Sequence, residues 1–294
     1  MAIAFVFPGQ GSQAVGMGRE LAEAFPAASA VFQEVDDALG QKLSEIMWSG
    51  PQEALTLTEN AQPALMAHSM AVMRVLETER GLKLGETAKF VAGHSLGEYS
   101  ALAAAGAFSI GDAARLLKLR GQSMQKAVPV GQGAMAALLG VGLEIAQKIA
   151  ADAAQGDVCD IANDNEPTQV VLSGHKTAID RIGEVGKKHG LRRAIPLPVS
   201  APFHCRLLQP AADTGAEALT KVDVRTPSVP VVANVLAAPI SECVLAMAAA
   251  GVTTLIEAGS GKVLTGLARR IDKSLKAQAA GSPPDLDAVM ALVG

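Results

Sequence analysis

The segment Gly93-His94-Ser95-Leu96-Gly97 sets a serine between two glycines, and it is the first place in this chain where covalent chemistry could occur. An apolar run, Phe90-Val91-Ala92, leads in and an Ala- and Leu-rich stretch to Ala105 leads out, so the pattern reads strand, sharp turn, helix. At such an elbow the glycines leave room for the backbone, and the helix N-terminus favours negative charge developing beside the serine. The backbone N–H of Leu96 is then an oxyanion donor. The bland reading is a glycine-flanked turn in which Ser95 caps a helix.

A serine nucleophile needs a base, and five histidines are available. His94 shares the turn with Ser95, but consecutive side chains on a tight turn diverge. His68 lies among Leu65, Met66 and Met70 and reads as core; His175 and His189 read as surface or capping positions. His204 ends the proline-constrained stretch Val199-Ser200-Ala201-Pro202-Phe203-His204 and lies C-terminal to Ser95, the order found in hydrolase-like folds. The residues alone leave it either as a general base or as an ordinary loop histidine.

The elements that must position these groups alternate between strand and helix. Ile3 to Phe7 reads as a buried strand, followed by the glycine-rich turn Pro8-Gly9-Gln10-Gly11-Ser12-Gln13. Helices are expected at about Met17 to Phe25, Ala27 to Leu39, Pro63 to Glu79, Gly97 to Ala105 and Ile110 to Ala127, with a strand at Lys89 to Gly93. From about 130 to 198 the order becomes βαββαβ, a ferredoxin-like arrangement of suitable size. Strands at Val229 to Val235 and Thr253 to Ala258 follow, with helices near Val244 to Ala249 and Val263 to Ile271. The expected fold is α/β: a hydrolase-like core with a mainly parallel sheet (1–129 and 199–294), carrying the small subdomain 130–198 as an insert.

Composition narrows the function classes. Apolar residues make up 49% and charged residues 18%, which excludes disordered and coiled-coil classes. A net charge of −4 removes the long-range attraction needed for nucleic acid or anionic membranes, so neither is expected as a partner. Cys159, Cys205 and Cys243 are scattered and lack metal-ligand or disulfide spacing, which points to the cytoplasm and to no metal site.

Seven segments, in order, carry a family resemblance: Phe7 to Gln13, Gln62-Pro63-Ala64, Gly93 to Ser100, Arg120-Gly121, Gly133-Ala134-Met135, Val199 to His204 and Gly259 to Leu264. Together they resemble the malonyl-CoA:acyl carrier protein transacylases of type II fatty-acid synthesis over nearly the whole chain. The resemblance implies that Ser95 attacks malonyl-CoA with His204 as base and that the phosphopantetheine thiol of acyl carrier protein resolves the malonyl ester in a ping-pong cycle. It implies an oxyanion site between the N–H groups of Leu96 and Gln10, and Arg120 as the clamp on the malonyl carboxylate. By itself Arg120, on a helix with Arg115 and Lys118, would read as a solvated charge. Phe203 resembles the malonyl-selecting form of its loop, and Gln62 and Asn163 correspond to polar residues lining the family's site, although loop amides commonly cap backbone. No resident cofactor is implied, because CoA thioester and phosphopantetheine arrive as substrates.

The chain departs from the family between Ala233-Asn234-Val235 and Met247, where the family's connection is longer by about 20 residues, roughly a short loop plus a helix. That connection supplies the carbonyl that orients the histidine. Either the segment is deleted or the numbering passes over it. The second reading, which we favour, expects consecutive Cα atoms much more than ~3.8 Å apart near Pro239 to Cys243.

Three rival functions share these features: a serine thioesterase or esterase, a discrete polyketide-type acyltransferase, and a carrier-protein or CoA binding module without turnover. Because carrier proteins of this pathway are acidic, docking needs a local basic patch. Lys187, Lys188, Arg192 and Arg193, or Lys262, Arg269, Arg270 and Lys273, are candidates. A monomer is the default expectation.

Overall fold

The computed structural model describes residues 2–129, 131–197, 199, 201–234 and 240–293. Among the described residues nine strands form two sheets. The first contains β1 (Ile3–Phe7), β2 (Ala88–Gly93), β7 (Val231–Val232), β8 (Thr254–Ala258) and β9 (Lys276–Ala280) in the order β7-β2-β1-β8-β9, with every pairing parallel. β1 lies at the centre and is buried along its whole length, which accounts for its unbroken apolar run rather than an alternating one. The second sheet contains β3 (Gly133–Leu139), β4 (Cys159–Glu166), β5 (Gln169–His175) and β6 (Arg193–Pro196) in the order β4-β5-β3-β6, all antiparallel.

The helices are α1 (Arg19–Ala24), α2 (Pro26–Leu39), α3 (Leu43–Ser49), α4 (Gln52–Thr56), α5 (Thr58–Thr78), α6 (Leu84–Thr87), α7 (Gly97–Ala104) and α8 (Ile110–Ala127). They continue with α9 (Leu143–Ala154), α10 (Lys176–Val185), α11 (Gln209–Leu219), α12 (Ile240–Ala249), α13 (Val263–Ile271) and α14 (Pro283–Val293). None of the helices is long and apolar enough to cross a membrane among the described residues.

Two compact units result. One spans Met1–Gly121, Ala218–Val235 and Cys243–Gly294; the other spans Gln122–Glu217 and Leu236–Glu242. The core of the first unit is built on Phe5, Phe7 and Val91 from the sheet and on α5, which is buried on all sides from Ala61 to Met73. Inside the second unit, α9 and α10 cover the sheet through Ile149, Ile179 and Ile182 packed on Leu138 and Leu172. This unit extends beyond 130–198 because the end of α8 and residues after 199 join a further apolar cluster there, with Met124, Val128, Phe203, Leu208 and Ala211.

Several elements differ from the sequence expectation. Pro63 reads as a helix start, yet α5 begins at Thr58 and carries Pro63 inside it, so Gln62 is a buried helical residue rather than a loop amide. Likewise β4 runs on through Glu166, which puts Asn163 in a strand beside Val171. The strand expected over Val229 to Val235 is only two residues long among the described residues. Ile240 to Cys243 form the first turn of the continuous helix α12. The rest of the expected break, at Pro239, lies outside the described residues.

Candidate active site

Parallel pairing of β1 and β2 sets Phe7 beside Gly93, so the two loops that leave these strands start at one level. The His94 N–H donates to the Phe7 carbonyl at 3.0 Å, and the chain then turns at once into α7 through Gly97 N–H to His94 O at 2.9 Å. Ser95, at the apex, has φ of 54°. A serine there is strained by about 1–3 kcal/mol and persists only because the surroundings over-determine it.

The glycines do the over-determining. A Cβ on Gly93 would lie 1.8 Å from the Gly97 carbonyl carbon, and one on Gly97 would lie 2.3 Å from the Phe7 carbonyl oxygen. Backbone touches backbone at both places, so no larger residue fits. Gly9 answers a different need: its Cβ would stand 2.4 Å from His94 Nδ1. Burial, with the Arg120 charge as a smaller contribution, pulls the His94 pKa from 6.5 to about 4, and the imidazole is neutral at pH 7.

Two backbone donors are unspent. Neither the Leu96 N–H nor the Gln10 N–H donates to an acceptor among the described residues, and Leu96 stands at the N-terminus of α7. The Gln10 side chain is tied down by a bond from Nε2 to Thr58 Oγ1 at 3.1 Å. Free N–H groups at a strand-to-helix turn are suited to a developing oxyanion.

Arg120 meets the serine from α8. Its Nη1 donates to Gln62 Oε1 at 2.6 Å, its Nη2 donates to Ser95 Oγ at 3.1 Å, and its guanidinium carbon lies 6.0 Å from the Tyr99 ring centroid. The close approach of α8 to α5 depends on Gly121, whose Cβ would be 2.5 Å from Glu59 Cα, and on Lys118, which pairs with Glu59 at 2.9 Å. That explains an Arg-Gly pair: the glycine lets the helix in and the arginine uses the proximity. Burial lowers the Arg120 pKa from its ordinary value while Tyr99 and Glu98 oppose the shift. An arginine side chain stays cationic throughout.

Asn163, Phe203 and His204 belong to the second unit. Phe203 is buried in the cluster with Met124, Val128 and Leu208. His204 is exposed at φ of 58°. Its loop is pinned on both sides: Gly133 accommodates Pro202, since a Cβ there would lie 2.3 Å from the proline ring. On the other side the Arg206 backbone N–H donates to Asp160 Oδ2 at 2.9 Å and its guanidinium forks onto the same carboxylate. Asp160 and Arg206 were not singled out by sequence reasoning. Nor was Asn234, which bonds to Gly93 and Glu98 on the elbow of the first unit. Their separation in sequence leaves no local signal.

A strained serine elbow on a parallel α/β sheet, with unspent backbone donors beside it, defines a class of serine enzymes that handle acyl groups, hydrolases and acyltransferases alike. The acyl transferase domain family matches residues 4–251. The malonyl CoA-acyl carrier protein transacylase of Bacillus subtilis (strain 168) is 44% identical over 97% of this chain and 95% of its own. That alignment runs over 306 residues, more than the 294 present here, so part of the relative has no counterpart in this chain. The crystal structure of an acyl-carrier-protein-S-malonyltransferase from Bartonella henselae is 50% identical, covers both chains fully and superposes with a TM-score of 0.96. A malonyl-transacylase in complex with a type II PKS acyl-carrier protein is 40% identical over 99% of this chain and 100% of its own, with a TM-score of 0.95. This chain belongs to the malonyl CoA-acyl carrier protein transacylase family.

Proposed function

We propose that the protein moves the malonyl group from malonyl-CoA to the phosphopantetheine thiol of an acyl carrier protein through a malonyl ester on Ser95, supplying fatty-acid chain elongation in the cytoplasm. The observation that carries this reading is the Arg120 guanidinium, held by Gln62 within hydrogen-bonding distance of the Ser95 hydroxyl. A guanidinium grips a carboxylate through two parallel N–H donors, and the thioester carbonyl of malonyl-CoA is one methylene from that carboxylate. Gripping one end therefore sets the other beside Oγ.

In the first half-reaction His204 takes the Oγ proton as Oγ attacks the carbonyl. The oxyanion accepts from Leu96 and Gln10, the C–S bond breaks, and CoA leaves with the proton. In the second, the phosphopantetheine thiol gives its proton to His204 and its sulfur attacks the ester. Ser95 then leaves and recovers the proton. Phe203 limits branching at the α-carbon, and Asn163 contributes to the polar lining. Lys187, Lys188, Arg192 and Arg193 are exposed, and none has an ion pair among the described residues, which suits them to an acidic carrier. The solved relative bound to a type II PKS carrier favours one second reading, a polyketide carrier as acceptor.

Incubation with labelled malonyl-CoA tests the proposal. Label is expected on Ser95, absent from Ser95→Ala, and transferable to a holo carrier protein of the fatty-acid or the polyketide type. Release of free malonate without a stable adduct would make the protein a thioesterase, and no adduct and no release would make it a binding module.

A further inference from the structure

The edge strand β7 is the least substantial part of the first sheet, yet its register matters for the elbow. Val231 pairs with Val91 and Val232 with Ala92, so the residues that follow reach the level of the turn carrying Ser95. Asn234 spans that turn. Its Nδ2 donates to the carbonyl of Gly93, the last residue of β2, at 2.7 Å and to Glu98 Oε2, in the first turn of α7, at 2.6 Å. Its backbone N–H donates to the same carboxylate oxygen at 2.8 Å. Gly93 and Glu98 bracket Ser95, the residue in the left-handed region. The side chain thus ties the end of the strand to the start of the helix, and two of the residue's three bonds, one from Nδ2 and one from the backbone N–H, go to the Glu98 carboxyl group.

We infer that Asn234 is a positioning residue for the nucleophile: by bridging Gly93 and Glu98 it fixes the turn and so the direction of Ser95 Oγ. The inference rests on Ser95 being the acylated residue. A conformation that residues other than glycine rarely adopt needs support from its surroundings, and these bonds add to the packing of Gly93 and Gly97 without being used by the reaction chemistry. The hydrogen bonds of Arg120 run to Gln62 and Ser95 and those of Asn234 to Gly93 and Glu98, so loss of Asn234 should act on the serine before it acts on the malonyl carboxylate.

Single-turnover acylation with labelled malonyl-CoA, alongside thermal melting, tests this. Asn234→Ala is expected to lower the acylation rate at saturation about 10-fold while the half-saturating concentration moves less than about twofold. Asn234→Asp sets a second carboxylate against Glu98. Like charges raise one pKa of such a pair, and the protonated form can donate to Glu98 again. The rate of Asn234→Asp relative to wild type should therefore rise at least about threefold from about pH 8 to about pH 5.5, while that of Asn234→Ala stays level. An Asn234→Ala rate within twofold of wild type overturns the inference, and so does a level ratio for Asn234→Asp, which decides the matter if the alanine variant does not fold. Absence of label from wild-type Ser95 would instead overturn the acyl-enzyme reading itself.

Discussion

Arg120 donates to the Ser95 hydroxyl at 3.1 Å, so in the free protein the group suited to a carboxylate rests on the nucleophile. A lone pair of Oγ is occupied until something draws the guanidinium away. On the proposed function a malonyl carboxylate would do this and an acetyl group would not, which would couple exposure of the nucleophile to the charge of the substrate.

Arg120→Ala is accordingly expected to reduce kcat/KM for malonyl-CoA about 100-fold, or about 2.7 kcal/mol, while acetyl-CoA becomes a better substrate than for wild type. Arg120→Lys should recover little, because an ammonium lacks the fork. Steady-state transfer with both thioesters measures it; unchanged malonyl transfer in Arg120→Ala would remove the clamp from the mechanism.

Gln62 orients Arg120 from inside α5. Gln62→Leu keeps the volume and deletes the acceptor, so KM for malonyl-CoA should rise about 10-fold with kcat changed less, since a bond to a charged group is worth about 1.5–3 kcal/mol. An equal fall in kcat with constant KM would show that Gln62 acts on the chemical step instead.

Gly121→Ala forces a Cβ into a space 2.5 Å from Glu59 Cα. Overpacking of this kind costs about 1–3 kcal/mol, and the separation of α8 from α5 should carry Arg120 away from Gln62. Denaturant unfolding and KM should both report the change. A stable variant with normal KM would mean that the two helices approach without needing the glycine.

Acid should destabilise the protein through two buried imidazoles. Burial lowers His68, like His94, from 6.5 to about 4, against a smaller opposing effect of its bond to the Gly281 carbonyl at 2.9 Å. Both are neutral when folded, while an unfolded chain protonates them below about 6.5, so stability falls as the pH drops from about 6.5 to about 4, by up to about 3 kcal/mol for each. Unfolding free energy against pH should lose about one proton of slope in this window in His68→Gln. An unchanged slope would show that His68 keeps an ordinary pKa.

The parts of this site that were legible in the sequence are those whose cause is local. Gly93 and Gly97 bracket Ser95 because backbone packs on backbone at both positions, and the βαββαβ order of the second unit follows from short-range periodicity. Strand β9 is not legible because Lys-Ala-Gln-Ala-Ala has little strand propensity of its own and is a strand by pairing with β8. Helix α11 is obscured by Pro210, which breaks the pattern at its second residue, and α14 by the two prolines that open it. Gln62 reads as a loop residue in the sequence because Pro63 has the look of a helix start. Asn234 and the Asp160–Arg206 fork are contacts between segments far apart in the chain, which no spacing encodes.

Gly9 and His94 occupy one shared volume, although they stand on loops 85 positions apart. The two motifs are therefore a single inheritable part: a Cβ at position 9 would meet the His94 ring at 2.4 Å and the His94 carbonyl oxygen at 2.9 Å, so the glycine is tied to the course of the elbow backbone as well as to the imidazole. A designer who transplants the serine elbow to another scaffold would have to bring the Pro8-Gly9 loop with it, because a smaller residue at position 94 would still leave its carbonyl oxygen in the way.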